Sequence, residues 1–260
     1  IPWGKNSEKY TKFLIDSINK TISKKTKIEY LIGVNQLGVN IQLLKELLQS
    51  LDNINILESK QKHSGNTSSG HGKCATMIMN SMDSKYGMMV DADVAFLMKD
   101  WDIKLIPHIK DDVVIIGTEY GRDDNHYWKN ANVIVCLFDV KKLKKINFDW
   151  NGELKHITID ESNKDIYHRK IGEKIFLDVG STLPIKLKEN NYKSKYLELL
   201  SPRIPNSRHR LKFLKDNMRG DEYQLNDEPI FTHLGRSVSR CFDTNNHTIL
   251  WKGEVIKWIK

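Results

Sequence analysis

The sequence predicts an α/β domain with a mostly parallel sheet and helices on both of its faces. In the first half of the chain, short apolar runs alternate with stretches of helical periodicity, which is the pattern of the strand–helix units that build parallel sheets. The chain has 260 residues, of which 39% are hydrophobic, so it can bury one large core. We therefore expect a single domain over 1–260, whose second half is less regular than its first.

Periodicity, capping residues and breakers predict the elements of the first half in order. Apolar side chains at helical spacing predict a helix from about Ser7 to Ile22, and a short buried strand follows at Ile28–Val34. Asn40 can cap a second helix. A strand at Ile54–Leu57 is followed by the polar stretch Ser59–Gly72, which predicts a loop. The remaining elements of this half are a helix at about Lys73–Met82 and strands at Tyr86–Val90, Val113–Gly117 and Val133–Phe138.

The second half of the chain gives less regular patterns. Helices are predicted near Asp165–Lys174, Thr182–Asn190 and Arg208–Asn217. A strand is expected at Ile230–His233, and an amphipathic helix is expected at Ile249–Ile259. The sequence has no repeat of fixed period and no low-complexity tract, which argues against a solenoid.

The balance of charges is basic, because 41 Lys and Arg stand against 33 Asp and Glu and give a net charge of +8. A basic surface attracts anions, including nucleic acid, lipid headgroups and phosphorylated small molecules. The lysines are spread along the whole chain, as in Lys141–Lys145 and Lys186–Lys188. They therefore predict solvated helix faces, and no specific nucleic-acid partner is expected.

Cysteine usage and hydropathy indicate the compartment. Cys74, Cys136 and Cys241 are far apart and form neither a disulfide framework nor a zinc pattern, which favours a reducing environment. No apolar run approaches the roughly 18 residues of a membrane span, and Ile1–Lys5 does not begin a signal peptide. We expect a cytoplasmic protein without a transmembrane segment; peripheral contact with a membrane stays open.

The sharpest signal for chemistry is Asp91-Ala92-Asp93, at the end of an apolar strand. In an extended backbone, residues two apart point to the same face, so both carboxylates can reach one cation, or one the cation and the other a ribose hydroxyl. Ligands of parallel sheets bind just beyond the carboxyl ends of strands, where this pair lies. Mg²⁺ and Mn²⁺ favour carboxylates together with phosphate oxygens. The alternative is a turn with two solvated aspartates.

A second signal is the run of small residues Ser68–Gly72 ahead of Lys73, which is predicted to open a helix. Small residues let backbone N–H groups approach an anion, and a helix N-terminus favours negative charge. Gly65, Gly70 and Lys73 come close to the Walker A pattern of phosphate binding. They miss it because Cys74 stands where that pattern needs Ser or Thr. The alternative is a surface loop.

Single residues in the second half add weaker signals. His233 ends a predicted strand and could complete a metal site, although a lone histidine is more often structural. Arg236 and Arg240 are close enough in sequence to add positive charge for a diphosphate. Asp178 follows the apolar pair Phe176-Leu177; it fits a capping or turn residue, and its functional interpretation is a general base.

The order of these features resembles that of the nucleotide-sugar transferases of the GT-A fold, especially those similar to glycosyltransferase family 2. The resemblance spans about Ile1 to Arg240, and the order and spacing of its motifs carry it. Two departures are a short first strand and a single aspartate, Asp178, where the family has an acidic pair. The matching segments are Ile1–Gly4, Ile28–Asn35, Gly70–Lys73, Asp91–Asp93, Asp178–Gly180 and His233–Gly235.

The resemblance implies a role for each matching residue. It implies a Mn²⁺ or Mg²⁺ ion on Asp91, Asp93 and His233, and it implies that Asp178 deprotonates the acceptor hydroxyl in an inverting transfer. The partners would be a nucleotide-diphosphate sugar as donor and a saccharide as acceptor. The residues that it implies for donor binding are Ile1, Pro2, Asn35, Gly70, His71, Gly72, Lys73, Asp91, Ala92, Asp93 and Arg236.

Acceptor binding is expected in the second half of the chain. Aromatic rings there could stack on sugar faces, and the predicted acceptor residues are Arg122, Trp128 and Trp150. In the alternative interpretation, Trp128 and Trp150 anchor the core. The resemblance thus divides the domain into a nucleotide-sugar-binding half at 1–118, an acceptor-binding half at 119–240 and a C-terminal helical tail at 241–260.

Three other functions stay open at this point. A sugar-nucleotide nucleotidyltransferase also binds nucleotides on an α/β sheet, although Trp3–Ser7 lacks its glycine-, arginine- and lysine-containing segment. A P-loop-like nucleotide-binding enzyme would use Asp91 as its metal-binding aspartate. A non-enzymatic basic binding module would have no reason to bring Asp91, Asp93 and His233 together. Metal-dependent binding of a nucleotide diphosphate would count against that last class.

Overall fold

The structure is a computed structural model. It describes residues 1–4, 7–36, 38–63, 68–123, 126–151, 153–155, 168–171, 174–177, 179–202, 204–215, 218–235 and 244–260. The helices are α1 (Glu8–Thr21), α2 (Ile41–Leu48), α3 (Ser68–Ser81), α4 (Trp101–Leu105), α5 (Val140–Lys145), α6 (Leu183–Glu189) and α7 (Thr244–Trp258), with 3₁₀ turns at Ile106–His108 and Pro205–Arg210. The strands are β1 (Pro2–Trp3), β2 (Tyr30–Gln36), β3 (Ile54–His63), β4 (Tyr86–Val90), β5 (Val94–Phe96), β6 (Val113–Asp123), β7 (His126–Asp139), β8 (Glu153–Lys155), β9 (His168–Ile171), β10 (Lys174–Leu177), β11 (Lys193–Leu200), β12 (Asp221–Leu225) and β13 (Glu228–His233).

The strands form three sheets. The first has the order β1-β2-β3 and is parallel throughout. The second has the order β4-β7-β6-β11-β12-β13-β5, in which β6 and β11 are parallel and the other neighbours are antiparallel. The third is the small antiparallel sheet β8-β10-β9. The predicted α/β class is confirmed, with the parallel pairs concentrated at the start of the chain.

Most of the predicted elements form where the sequence places them. The structure confirms the helix near Ser7–Ile22 as α1, the strands at β2, β4 and β13, and the C-terminal helix as α7. Asn40 caps α2, because its side-chain oxygen accepts the backbone N–H of Leu43 at 3.0 Å. None of the described helices combines the length and the apolar composition that a membrane span requires.

The predicted loop at Ser59–Gly72 is wrong at both of its ends. Strand β3 continues to His63, since it pairs in parallel with β2 as far as the contact between Gln36 and His63. Helix α3 begins at Ser68, so Gly70-His71-Gly72 lies inside the helix and does not precede it as a turn. Pairing to a neighbouring strand here outweighs the polar composition of the segment.

Two helices predicted in the second half are also wrong. Within Asp165–Lys174, the described residues His168–Ile171 form β9, which pairs with β10. In Arg208–Asn217, a 3₁₀ turn ends at Arg210 and no α-helix follows among the described residues. The reason is the buried carboxylate of Glu222, which accepts the backbone N–H groups of three successive residues that an α-helix would bond internally. These are Lys212, Phe213 and Leu214, at 3.2, 2.9 and 3.1 Å.

The core consists of two clusters of buried apolar side chains. The larger one includes the rings of Phe96, Trp101 and Phe231; the centroid of Phe96 lies 4.7 Å from that of each of the other two. The smaller one surrounds Trp150 and Phe148, whose ring centroids are 4.8 Å apart. Helix α3 packs on the parallel sheet, and α1 packs on β5. Both helices therefore pack on strands that border the candidate site: β2 ends beside it, and β5 begins directly after Asp93.

Gly72 of α3 packs closely against the backbone at 150–151. A Cβ atom at this position would lie 2.3 Å from the backbone oxygen of Trp150 and 2.8 Å from Cα of Asn151. Both neighbours are backbone atoms, which cannot rotate away as the end of a side chain can. A residue larger than glycine therefore requires the helix or the segment at 150–151 to move.

We predict that Gly72→Ala destabilises the fold and that Gly253→Ala does not. Both glycines lie inside helices, where alanine is favoured by about 1 kcal/mol. At Gly253 a Cβ meets nothing within 4 Å, so this gain is kept. At Gly72 the overlap should cost about 1–3 kcal/mol or more. Urea unfolding of the two variants measures the difference, and equal unfolding free energies would contradict the packing described here.

Candidate metal centre

Asp91 and Asp93 lie in the short connection between β4 and β5. The N–H of Asp91 donates to the carbonyl of Ile134 at 2.8 Å, which holds one end of the connection against β7. The N–H of Leu234 donates to the carbonyl of Asp93 at 3.0 Å, which holds the other end against the end of β13. Residues 92 and 93 form a turn, so the expectation of an extended backbone through this motif is wrong. The turn nevertheless brings both carboxylates to one place.

The structure brings the three predicted metal ligands together. Asp91, Asp93 and His233 each offer a ligand atom, and these atoms all lie within 4.8 Å of one another. Nε2 of His233 is 3.3 Å from Oδ1 of Asp93. The side chains of Asp93 and His233 are 7% and 11% exposed, whereas the side chain of Asp91 is 22% exposed. One carboxylate of the group is thus open to solvent and the other two ligands are covered.

The charges in this group act strongly on His233. Burial favours the neutral imidazole, but the carboxylate of Asp93, together with those of Asp221 and Asp91, outweighs burial and raises the pKa of His233 from 6.5 to about 9. The imidazole therefore carries a proton at neutral pH when no cation is bound. The site attracts positive charge, as a cation site must.

His71 on helix α3 lies beside Asp91, the most exposed of the three candidate ligands. Nε2 of His71 lies 3.3 Å from Oδ1 of Asp91. The first turn of the helix is held by Asn35, whose side-chain N–H donates to the carbonyl of Gly70 at 2.5 Å. Asn35 is 7% exposed and stands near the end of β2. A continuous set of contacts therefore runs from Asn35 through Gly70 and His71 to Asp91.

Of the other residues predicted to bind the donor, all but one belong to the described part of the chain. Ile1 is buried, and its carbonyl accepts the N–H of Gly33, while Pro2 pairs with Gly33 on β2. Ala92 is buried between the two aspartates. Lys73 is exposed on α3. Arg236 lies outside the described residues.

The predicted base and acceptor residues have different outcomes. Asp178 lies outside the described residues. The backbones of Arg122 and Trp128 lie on β6 and β7, and their side chains are outside the description. Trp150 is 0% exposed and packs against Phe148 in the smaller core. The prediction that Trp150 stacks on a sugar is wrong, because a fully buried ring has no free face, and the alternative of a core anchor is confirmed.

Sequence reasoning missed Asp221, which stands opposite His233 in the antiparallel pair of β12 and β13. A two-residue turn, Asn226-Asp227, joins these strands, and both of its residues have positive φ, as in type I′ hairpins. The turn signal is readable in the sequence. The register is shifted by one residue between Tyr223 and Gln224, however, and that irregularity has no signal that we can identify.

No family model matches the chain, and no curated protein matches it. A solved structure that it resembles is the mannosyltransferase PcManGT from Pyrobaculum calidifontis in complex with GDP-Man and Mn²⁺, with 11% identity, a TM-score of 0.51, and coverage of 75% of this chain and 52% of that one. The chain has a GT-A-like fold.

Two further solved structures are similar at lower scores. S. aureus TarS 1–349 in complex with UDP-GlcNAc has 16% identity and a TM-score of 0.46, over 75% of this chain and 54% of that one. The bifunctional glycosyltransferase WbbM has 10% identity and a TM-score of 0.45, over 75% and 37%. This GT-A-like chain thus matches about half of the length of PcManGT and of TarS 1–349, and less of WbbM.

We predict that the metal-free protein loses stability as the pH rises from about 6.5 to about 9. The folded protein keeps a proton on His233 up to about pH 9, whereas the unfolded chain loses it near 6.5. The stabilisation is therefore complete below 6.5 and gone above 9. Because one pKa unit corresponds to about 1.4 kcal/mol, the change in pKa from 6.5 to about 9 should cost roughly 3 kcal/mol. Urea unfolding in EDTA across this range measures it.

The control for this titration is His233→Asn, which keeps a polar side chain and removes the titrating ring. The difference between the two stability curves isolates His233 from every other group that titrates in the same range. Parallel curves for the wild type and the variant would show that the pKa of His233 is not raised in the folded protein.

Proposed function

We propose that this chain is a metal-dependent glycosyltransferase that moves a sugar from a nucleotide-diphosphate sugar to a hydroxyl of a saccharide. The observation that carries the proposal is the convergence of Asp91, Asp93 and His233 on one point of a GT-A-like fold. PcManGT, which shares the fold, was solved with GDP-Man and Mn²⁺. That likeness supports the donor class for this chain, and it leaves the nucleotide and the sugar to experiment.

The donor set of the site fits a small divalent cation. Two carboxylates supply the hard oxygen ligands that Mn²⁺ and Mg²⁺ prefer, and the imidazole of His233 suits Mn²⁺ better than Mg²⁺. Phosphate oxygens of the donor would complete the coordination. When bound, the ion would act as a Lewis acid for the negative charge that grows on the diphosphate leaving group.

We assign a separate role in donor binding to each residue of the site. Asp91, Asp93 and His233 hold the cation, and His71 contacts Asp91 from α3 and fixes one side of this carboxylate. Lys73 on the same helix is exposed and adds positive charge near the diphosphate. Asn35 acts indirectly, because its hydrogen bond to Gly70 fixes the turn of α3 that carries His71.

The transfer itself needs a base on the acceptor side. The acceptor oxygen forms a bond to the anomeric carbon while the bond from that carbon to the phosphate oxygen breaks, and the nucleotide diphosphate leaves with the bonding electron pair. The hydroxyl proton passes to a carboxylate. We assign this role to Asp178 from the sequence, which makes the reaction inverting. Arg122 and Trp128 remain proposed contacts of the acceptor.

The first test is the binding of nucleotide diphosphates, measured by calorimetry with UDP, GDP, ADP and dTDP in the presence and absence of Mn²⁺. We expect one nucleotide to bind only with the metal. Asp91→Asn and Asp93→Asn should each weaken this binding by at least about 10-fold, since each removes a charged ligand. Asp83→Asn is the matched control, because Asp83 is an exposed aspartate before the opposite end of β4.

The outcome of this panel decides between the classes of function. Binding that ignores both the metal and the two aspartates would overturn the proposed site and would favour a basic binding module. Hydrolysis of the matching nucleotide sugar without an acceptor would support the transferase. Release of pyrophosphate from a nucleoside triphosphate and a sugar phosphate would support a nucleotidyltransferase in its place.

We further predict that Asp178→Asn separates transfer from donor binding. A positioned general base contributes about 10²–10⁴-fold to a rate, so transfer to saccharide acceptors should fall by that range. The affinity for the nucleotide and Mn²⁺ should stay within about twofold, because this carboxylate is not assigned to the metal centre. Product formation by high-resolution chromatography and calorimetry on the same preparation measure both quantities. Undiminished transfer would remove Asp178 as the base.

A further inference from the structure

Strand β12 places a buried carboxylate beside the metal centre, on the side away from Asp93. Asp221 stands directly opposite His233 in the antiparallel ladder. The side chains of such a pair lie on the same face of the sheet, with Cβ atoms about 4.5–5.5 Å apart. Asp221 is 8% exposed and His233 is 9% exposed, so both groups are largely removed from water. Their charges and hydrogen bonds therefore act on each other with little screening.

The space beside Gly235 is bordered by both the ring of His233 and the carboxylate of Asp221. A Cβ atom on Gly235 would lie 3.8 Å from Nδ1 of His233 and 4.0 Å from Oδ2 of Asp221, so the two atoms border the same small space. The other nitrogen, Nε2, is 3.3 Å from Oδ1 of Asp93. Nε2 thus contacts Asp93, while Nδ1 borders the same space as the carboxylate of Asp221.

Nδ1 of His233 needs a hydrogen-bond acceptor that Asp221 could supply. Nδ1 of His233 is buried and makes no hydrogen bond to any residue in the described part of the chain. If Nε2 binds a cation, the neutral ring must carry its proton on Nδ1. A buried N–H without an acceptor costs about 1–3 kcal/mol, and rotation of the Asp221 side chain toward Nδ1 would supply that acceptor.

We propose that Asp221 is a positioning residue of the metal centre: its carboxylate accepts Nδ1–H of His233 and thereby directs Nε2 to the divalent cation. This inference rests on the proposed function, because it requires that the site binds a metal. Ligating histidines generally donate their second N–H to a carboxylate, a carbonyl or water, and this bond fixes the tautomer and the ring orientation.

The neighbouring residue shows what a purely structural carboxylate on this strand looks like. Glu222 points to the opposite face and accepts three backbone N–H groups, which orders the segment that follows Arg210. Asp221, in contrast, lies on the face of His233, and its carboxylate borders the same space as the His233 ring. We therefore expect the loss of this carboxylate to change the affinity of the site for a cation.

The test is the affinity for Mn²⁺ alone, measured by calorimetry on the wild type, Asp221→Asn and Asp102→Asn. Asp221→Asn should weaken binding by about 10–100-fold, as is typical when an outer carboxylate is lost. Asp102 is the matched control, because it is also a buried aspartate but accepts from Ser23 and Thr26, away from the site. Asp102→Asn should lower the unfolding temperature and leave the Mn²⁺ affinity unchanged.

A spectroscopic measurement separates a positioning role from a structural one. In the Co²⁺-substituted protein, Asp221→Asn should shift the visible absorption bands toward those of His233→Asn, since both variants disturb the same ligand. In the wild type labelled with ¹⁵N-histidine and loaded with Zn²⁺, Nδ1 of His233 should carry the proton and Nε2 the metal. The wild-type measurement does not depend on whether a variant folds.

The possible failures are distinguishable. If the wild type binds no divalent cation, both the proposed metal centre and this inference are wrong. If the wild type binds Mn²⁺ and Asp221→Asn binds it equally well, or if Nδ1 is the nitrogen on the metal, the inference alone is overturned. The glycosyltransferase proposal would then stand without Asp221.

Discussion

Strand β5 pairs with β13 in a register that places Phe96 opposite Phe231 and Val94 opposite His233. The two phenylalanine rings pack 4.7 Å apart in the larger core, so the burial of apolar surface selects this register. A slip of one residue would expose the rings and would turn His233 to the other face of the sheet, away from Asp93. The candidate metal centre joins two segments that are distant in sequence, and hydrophobic packing two residues along the strands from His233 sets their alignment.

The electrostatics of the centre follow from that alignment. Asp91, Asp93 and Asp221 act together on a largely buried imidazole, and they raise the pKa of His233 although burial alone would lower it. The same carboxylates would attract a divalent cation, so a proton and a cation compete for one region of negative potential. A fold that buries this many carboxylates together is costly unless a cation or a proton balances them.

Local patterns in the sequence predicted the elements and the ligands that depend on neighbours in the chain. Asp91 and Asp93 were found because they end an apolar strand, although their convergence comes from a turn and not from an extended backbone. Long-range contacts caused the errors. The end of β3 is set by pairing to β2, and the segment at Arg208–Asn217 is opened by the carboxylate of Glu222. Asp221 was missed because an extra residue in β13, between Pro229 and Phe231, shifts the pairing with β12 by one residue.

The glycines near α3 change the interpretation of the segment that most resembled a phosphate-binding loop. Gly33 on β2 makes room for Cys74, since a Cβ there would lie 2.6 Å from its sulfur, and Gly72 makes room for the backbone of Trp150. Glycine on both sides thus allows α3 to fit between the parallel sheet and the segment at 150–151. The small residues serve this close packing, and what the helix presents to the site is the imidazole of His71. Recognition of the donor phosphates would then depend on side chains and a cation, and not on a loop of backbone amides.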